Sequence, residues 1–261
     1  MPPKIRPELK AGSKDETLMF SLCQWGAKGV PNKNIRPLLG KPLLIHSLDL
    51  ARESELFDCI VLSSDSREFL QLARDWGVDH AIERPAELAT DTASKLTVIQ
   101  HCFRTAETLS GLKFDTVVDL DATSPLRNQE DLKGVIELLE SHEQITNVIT
   151  GAPALCSPYF NLVELDESGG VHLSGKRWSI NENIVIRQDA PPCYDMNASI
   201  YAWWRNSLLK ARHVIQSDTR LYVMPEERSV DIDSELDFRC VEFLMQDQRA
   251  AQATRRVSPN E

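Results

Sequence analysis

The chain has 261 residues, 42% of them hydrophobic and 26% charged, which suits one elaborated α/β domain or two small ones with a core that needs no covalent staples. Its formal net charge is −10, which argues against a nucleic-acid backbone or an anionic membrane as the main partner. An anionic small substrate then needs a local group of cations, or a metal ion, to hold it.

Residues 1–16 are polar, carry charges of both signs and lack the apolar centre of a secretory signal; they read as a disordered arm, with residues 252–261 as a matching tail. Between them no apolar run approaches the ~20 residues a membrane span needs. The first expected element is the short apolar run at residues 18–23, a buried strand, followed by a Gly- and Lys-rich loop. Pro42 then opens a helical pattern, since proline suits a first helical turn. Residues 57–63 form a second strand, and residues 65–76 a helix that stops at Gly77. A short strand at 78–82 leads through a loop to a helix capped by Thr92 or Ser94 and reaching about Leu109. Another strand at 116–121 is broken by Thr123-Ser124-Pro125, a helix covers 129–141, and a strand follows at 147–150.

This alternation of strand and helix through the first 150 residues predicts a mostly parallel sheet covered on both faces. Ligands of such sheets bind beyond the carboxyl ends of the strands. The rhythm then changes. Pro, Gly and Asn become frequent between about 156 and 193, which reads as an inserted lobe. Strands return at 199–203 and 220–224, and a last helix starts at Ser234, with Asp237 as its capping partner, and reaches about Gln248, closing a domain over residues 17–251.

Six cysteines (Cys23, Cys59, Cys102, Cys156, Cys193 and Cys240) are scattered without a C-x-x-C pair. They read as buried free thiols in a reducing, cytoplasmic compartment, and no ligand spacing supports zinc. None of the six histidines pairs with Ser or Cys in a hydrolase motif, and His46 on its amphipathic helix reads as structural.

Four segments can carry chemistry. Lys28-Gly29-Val30-Pro31-Asn32-Lys33-Asn34 sets two cations and open backbone N–H groups directly after the first strand, a cradle for phosphates that is neither a Walker A loop nor G-x-G-x-x-G. Asp231 and Asp233, one residue apart, face the same side of an extended segment and suit a hard cation such as Mg²⁺, although the same residues also fit a solvated turn that caps the last helix. Asp121, Thr123, Ser124 and Arg127 offer hydroxyls and a cation at a strand end to a polyhydroxylated acid. The stretch from Arg84 to Ser94 reads on its own as a turn before a helix.

Together, and in this order, Lys28-Gly-Val-Pro-Asn-Lys-Asn34, Arg84-Pro-Ala-Glu-Leu-Ala-Thr-Asp-Thr-Ala-Ser94, Asp121-Ala-Thr-Ser-Pro-Leu-Arg127 and Ser229-Val-Asp-Ile-Asp-Ser-Glu-Leu-Asp237 resemble the acylneuraminate cytidylyltransferases, also called CMP-sialic acid synthetases, over roughly residues 18 to 246. The resemblance implies a Rossmann-like nucleotidyltransferase fold with an inserted dimerisation lobe. It implies that CTP and a nine-carbon α-keto acid sugar give the CMP-sugar and pyrophosphate, with Mg²⁺, in a homodimer. By residue, it implies that Lys28 and Lys33 approach the triphosphate. Cys23, Gln24, Gly26, Ala27, Asn34, Arg84, Ala93 and Ser94 fall where the family holds the nucleotide. Asp231 and Asp233 match its metal-binding aspartates, and Asp121, Thr123, Ser124, Arg187, Gln188 and Asn197 lie towards the sugar.

The sequence departs from the family at two places. Where A-R-x-x-S-K-G is usual, it has Cys23-Gln24-Trp25-Gly26-Ala27-Lys28-Gly29, losing an Arg and a Ser. A charge-assisted hydrogen bond contributes about 1.5–3 kcal/mol, so activity falls by orders of magnitude unless another cation compensates. Where Gln-Pro is frequent before Thr-Ser-Pro, it has Asp121-Ala122, which is similar to members that act on legionaminic-type sugars. Two other readings stay open on the sequence: a related transferase with another sugar or nucleotide, such as one forming CMP-Kdo, and a non-catalytic nucleotide-sugar-binding paralogue.

Overall fold

The structure, a computed structural model, describes residues 16–23, 30–90, 92–174 and 190–257, with side chains through residue 250. In chain order the elements are β1 (Thr17–Cys23), the two-residue strands β2 (Pro37–Leu38) and β3 (Lys41–Pro42), α1 (Leu43–Ser54), β4 (Cys59–Ser64), α2 (Arg67–Trp76), β5 (His80–Glu83), α3 (Lys95–Ser110), β6 (Thr116–Leu120), α4 (Gln129–Glu140), β7 (Asn147–Pro153), β8 (Val163–Leu165), β9 (Val171–Leu173), β10 (Tyr194–Trp204), α5 (Arg205–Lys210), β11 (Arg220–Val223) and α6 (Glu235–Val257). Seven strands form one sheet in the order β11-β7-β10-β6-β1-β4-β5.

The pairs β1–β4, β1–β6, β4–β5 and β7–β11 are parallel; β10 runs antiparallel to both β6 and β7. Parallel neighbours need a crossover, and helices supply it on the β1, β4, β5, β6 side. Among the described residues no α-helix lies between β7 and β10, only the β8–β9 hairpin, so nothing imposes the parallel sense there. Alternate strand residues feed two cores. Met19, Leu62, Val118 and Leu120 pack under α1, α2 and α4; Phe20, Val61, Val117 and Trp203 pack under α3 and α5. A smaller core of Val30, Leu38, Leu43, Leu126, Ile232, Phe238 and Val241 draws the loops after β1 and β6 against α6.

Local signals explain the element ends. Ser66 caps α2, and Gly77, in the left-handed region at φ 95°, ends it as the sequence predicts. Asn128 and Asp131 form a capping box for α4. Pro42 sits just before α1 instead of inside its first turn. The last helix runs to Val257, past the expected stop near Gln248 and into the stretch expected as a tail; residues 249–257 hold good helix formers and no Gly or Pro. His46 meets the Leu38 carbonyl through Nε2 at 3.0 Å, a structural contact. All six cysteines are free; Cys23, Cys59 and Cys102 are buried, while Cys156 and Cys193 are partly and Cys240 fully exposed. Of the expected arm, residues 1–15 lie outside the described residues, as do residues 258–261 of the tail. Among the described residues no helix is long and apolar enough to cross a membrane.

Candidate active site

The described parts of the four sequence segments meet at the carboxyl ends of β1, β4 and β6. Lys33 stands in a tight turn (Lys33 N–H to the Val30 carbonyl, 3.2 Å; Ile35 N–H to Asn32, 3.1 Å) that places Asn32 in the left-handed region at φ 54°. From there the Lys33 ammonium donates to the Ile232 carbonyl at 2.7 Å and to Asp233 Oδ1 at 3.0 Å. In turn Ile232 N–H donates to the Thr123 carbonyl at 3.0 Å. Arg84, almost fully buried, donates to the carbonyls of Cys23 and Ser63, both at 3.2 Å, and so ties the ends of β1 and β4 together. Its Nε is buried without a hydrogen-bond partner among the described residues.

The Asp231–Asp233 segment is held from behind. Arg228 grips Asp131 at the start of α4 with two bonds of 2.9 Å. The Ser229 hydroxyl donates to the Pro225 carbonyl at 2.8 Å. At the far end Ser234 and Asp237 cap α6 reciprocally, and Asp237 Oδ2 also accepts from Asp233 N–H at 3.2 Å. Ile232 is fully buried between the two aspartates, so they lie on the opposite side of the segment, Asp233 exposed and Asp231 half-buried. Burial, then the neighbouring carboxylates Asp121 and Asp233, raise the Asp231 carboxyl above its usual range against a hydrogen bond from Thr123. Among the described residues Asp231 Oδ1 is buried with no hydrogen-bond partner. A carboxylate oxygen left bare beside a second carboxylate fits a divalent cation shared with substrate phosphates. Among the described residues no group of three or more His, Cys, Asp or Glu is arranged to hold a metal alone, so phosphate oxygens would complete such a shell.

Sequence reasoning placed Asp121 towards the sugar but missed its partners Asp119 and Lys95, with which it forms the most strongly perturbed part of the site. Asp119 and Asp121, two residues apart at the end of β6, point to the same face. Lys95, the first residue of α3, reaches between them, with Nζ 3.0 Å from Asp121 Oδ2, 3.4 Å from Asp119 Oδ2 and 4.3 Å from the centre of the Tyr201 ring. Burial alone would lower the Lys95 ammonium, but Asp121 and Asp119 outweigh it and hold it well above the usual range. Burial would raise the Asp121 carboxyl; Lys95 and the Thr123 donors hold it down to about 2. Asp119, fully buried and farther from the ammonium, is pushed up to about 6 by burial. A sequence signal existed: a lysine at the first position of a helix opposes the helix dipole and needs another reason to be there.

Other expected site residues are placed as follows. Cys23 ends β1 buried, its thiol pushed up to about 12 by burial, so it offers its carbonyl and not a thiolate. Asn34 is buried, and its carbonyl accepts from Leu44 N–H at 2.9 Å. Ala93 and Ser94 lead into α3; Ser94 stands at the N-cap, exposed, and its hydroxyl makes no capping bond. Ser124 is fully buried, its hydroxyl without a hydrogen-bond partner among the described residues. Arg127 faces the protein and not the cleft: its guanidinium donates to the Ser124 carbonyl (2.8 Å), to Ser199 and to Ser47, stapling the loop to β10 and α1. Asn197 lies on β10, the strand beside β6, in the irregular stretch between Met196 and Tyr201, its Oδ1 accepting from Thr150 (2.7 Å) and its Nδ2 donating to Ser229 (3.0 Å). Gln24, Gly26, Ala27, Lys28, Arg187 and Gln188 lie outside the described residues.

Cation-lined loops at the carboxyl ends of a mostly parallel sheet, with a carboxylate pair facing them, define a nucleotidyltransferase. Residues 23–248 match the protein family described as Cytidylyltransferase, and the chain belongs to that family. It is 41% identical over 229 residues to a CMP-N,N'-diacetyllegionaminic acid synthase of Campylobacter jejuni, covering 87% of this chain and 94% of that one. It is 39% identical over 231 residues to a post-translational flagellin modification protein B of Campylobacter coli, covering 88% of this chain and 95% of that one. Among solved structures, a CMP:2-keto-3-deoxy-manno-octonic acid synthetase complexed with CTP shares the fold, with a TM-score of 0.64 at 14% identity over 89% of this chain and 99% of that one.

Proposed function

We propose that the protein transfers the CMP group of CTP to the anomeric hydroxyl of a nonulosonic acid of the legionaminic or sialic type and releases pyrophosphate. The observation that carries this reading is the closed chain of contacts among the loops: Lys33 to Ile232 and Asp233, Ile232 to Thr123, and Lys95 to Asp121. The relatives named for CMP activation of such sugars support it. The sugar oxygen attacks the α-phosphorus as the bond from phosphorus to pyrophosphate breaks, and the hydroxyl proton passes to solvent water.

In this reading Lys33, with Lys28 from the same loop, meets negative charge on the β- and γ-phosphates. Preorganised cations of this kind stabilise the charge that grows on the leaving group. Arg84 holds the strand ends against which the nucleotide lies, with Ser94 and Asn34 beside it. Asp121, Thr123 and Ser124 are assigned to the sugar, as are Arg187 and Gln188, which lie outside the described residues. Asp231 and Asp233 would hold Mg²⁺, which when bound neutralises phosphate charge and lowers the pKa of a coordinated hydroxyl.

Two assembly statements belong to the same proposal. A second copy covers the apolar residues that the hairpin and its approach leave exposed, among them Leu155, Leu165 and Val171. The compartment is the cytoplasm, consistent with free thiols. Pyrophosphate release that requires CTP, Mg²⁺ and a nonulosonic acid together tests the reaction. Release with CTP absent, or none with any nonulosonic acid in a panel that includes N,N'-diacetyllegionaminic and N-acetylneuraminic acids, would overturn it.

A further inference from the structure

Asp121 holds an open place on a carboxylate that is otherwise engaged. Its Oδ1 accepts twice from Thr123, from N–H at 3.2 Å and from the hydroxyl at 2.9 Å, and its Oδ2 accepts from Lys95 at 3.0 Å. A carboxylate has about four acceptor places, so among the described residues a place on Oδ2 remains open. The side chain is 24% exposed, just past the carboxyl end of β6 where the site lies. Lys95 has no such remainder. Its ammonium is surrounded by Asp121 Oδ2, by Asp119 Oδ2 at 3.4 Å and by the face of Tyr201 at 4.3 Å from the ring centre. It therefore acts on a ligand through Asp121 and not by direct contact.

Charge makes the pair necessary. Both substrates of the proposed reaction are anions, one a triphosphate and the other an α-keto acid. An ionised Asp121 alone would repel the sugar assigned to it: at an effective dielectric of about 20, a like charge within about 8 Å weakens binding more than tenfold. Resting on the reading above, we infer that Lys95 is a positioning residue for the sugar: it neutralises Asp121 and fixes its carboxylate so that the open place on Oδ2 accepts an N–H or O–H group of the anionic nonulosonic acid. The group that meets Asp121 is a hydrogen-bond donor, an acylamino N–H or a hydroxyl, because an ionised carboxylate only accepts. An amide in place of the carboxylate would keep an acceptor oxygen and need no counter-ion.

The test is steady-state CMP-sugar formation by the full chain with Mg²⁺, varying the nonulosonic acid and CTP separately. Lys95→Met is expected to raise KM for the sugar by about tenfold or more and to leave KM for CTP within about threefold of the wild type. Combining Lys95→Met with Asp121→Asn, which removes the uncompensated charge, is expected to bring KM for the sugar back to within about threefold. A purely structural Lys95 predicts no such rescue, since the second change takes still more from the network. Folded Lys95→Met protein with the wild-type KM for the sugar overturns the inference. So does a loss that Asp121→Asn leaves uncorrected, or one that CTP shares equally. If Lys95→Met fails to fold because buried Asp119 loses its counter-ion, the same comparison in an Asp119→Asn background decides. Any of these contrary results beside wild-type turnover counts against the inference alone. A wild type that forms no CMP-sugar from any nonulosonic acid overturns the proposed function, and the inference with it.

Discussion

The two ends of the sheet treat buried charge in opposite ways. At the amino end of β6, Glu107 of α3 is closed off: Arg205 donates to both its oxygens at 2.8 and 3.0 Å, and Lys113 adds a bond of 3.1 Å. At the carboxyl end, Asp119 is fully buried and meets Lys95 only as a 3.4 Å ion pair, with neither oxygen hydrogen-bonded among the described residues, where Asp231 also keeps a bare oxygen. Both ends contain a lysine or arginine against acids, and both rest on α3. The saturated cluster joins α3 to α5, with both Glu107 oxygens engaged by cations. The unsaturated one carries polar groups whose burial costs free energy until a ligand arrives, which is the pattern expected where binding and not stability has shaped the residues.

Substitutions at the two ends should therefore separate activity from stability. Asp231→Asn is expected to have the largest effect, a loss of about 10³-fold in CMP transfer, the scale of removing one preorganised electrostatic group. Its melting temperature should stay level or rise, because a half-buried unpaired carboxylate is gone; a melting temperature that collapses would place Asp231 in the saturated class. Lys33→Met should lower turnover by about 10²-fold, with most of the loss in kcat, since its charge acts on the leaving group.

At the other end, Glu107→Gln should leave transfer per folded molecule unchanged and cost about 1 kcal/mol of stability in denaturant unfolding at neutral pH, because the two cations that lose their charged partner are themselves partly or largely exposed. Burial would raise the Glu107 carboxyl, but hydrogen bonds from Arg205 and Lys113 outweigh it and hold it below the usual range. The folded value is depressed, so this contribution is present above the ordinary carboxylate pKa and is lost as the pH falls through the folded one. The gap between wild type and Glu107→Gln should close on acidification, as midpoints measured across pH will show.

Asp119 carries the opposite sign. Its folded carboxyl is raised to about 6, so the folded state holds a proton there that the unfolded chain has released, and stability declines as the pH rises from the ordinary value through about 6. Asp119→Asn should match the wild type in acid and exceed it by about 2 kcal/mol at pH 8. A gap of constant size across that range would show that Asp119 stays ionised beside Lys95.

The same contrast explains what the sequence discloses. The strand runs at 18–23 and 116–121 and the loops that follow them are legible, because apolar runs of strand length stop at Gly, Pro and hydroxyl residues. Lys33, Asp231 and Asp233 are legible as charges on such loops. The reversed direction of β10 is not, because a strand's sense depends on its connection and not on its own residues. Asp119 reads as one more residue of a buried strand, and only its alternation with Asp121 links the two. Lys95 sits next to a recognised segment yet acts through partners 24 and 26 residues away, contacts that no local pattern encodes. Arg127 shows the converse: its type and place suggested a ligand, while the fold engages its donors with Ser47, Ser124 and Ser199.

The central claim is that the loops at the carboxyl end form one cytidylyl-transfer site. It is tested most directly by following the α-phosphate label of CTP into product for wild type and Asp231→Asn side by side, with Mg²⁺ and N,N'-diacetyllegionaminic acid. The account expects the label on the sugar with the wild type, and a loss of about 10³-fold in the variant at an unchanged melting temperature. Label that reaches the sugar equally fast with both proteins would contradict it.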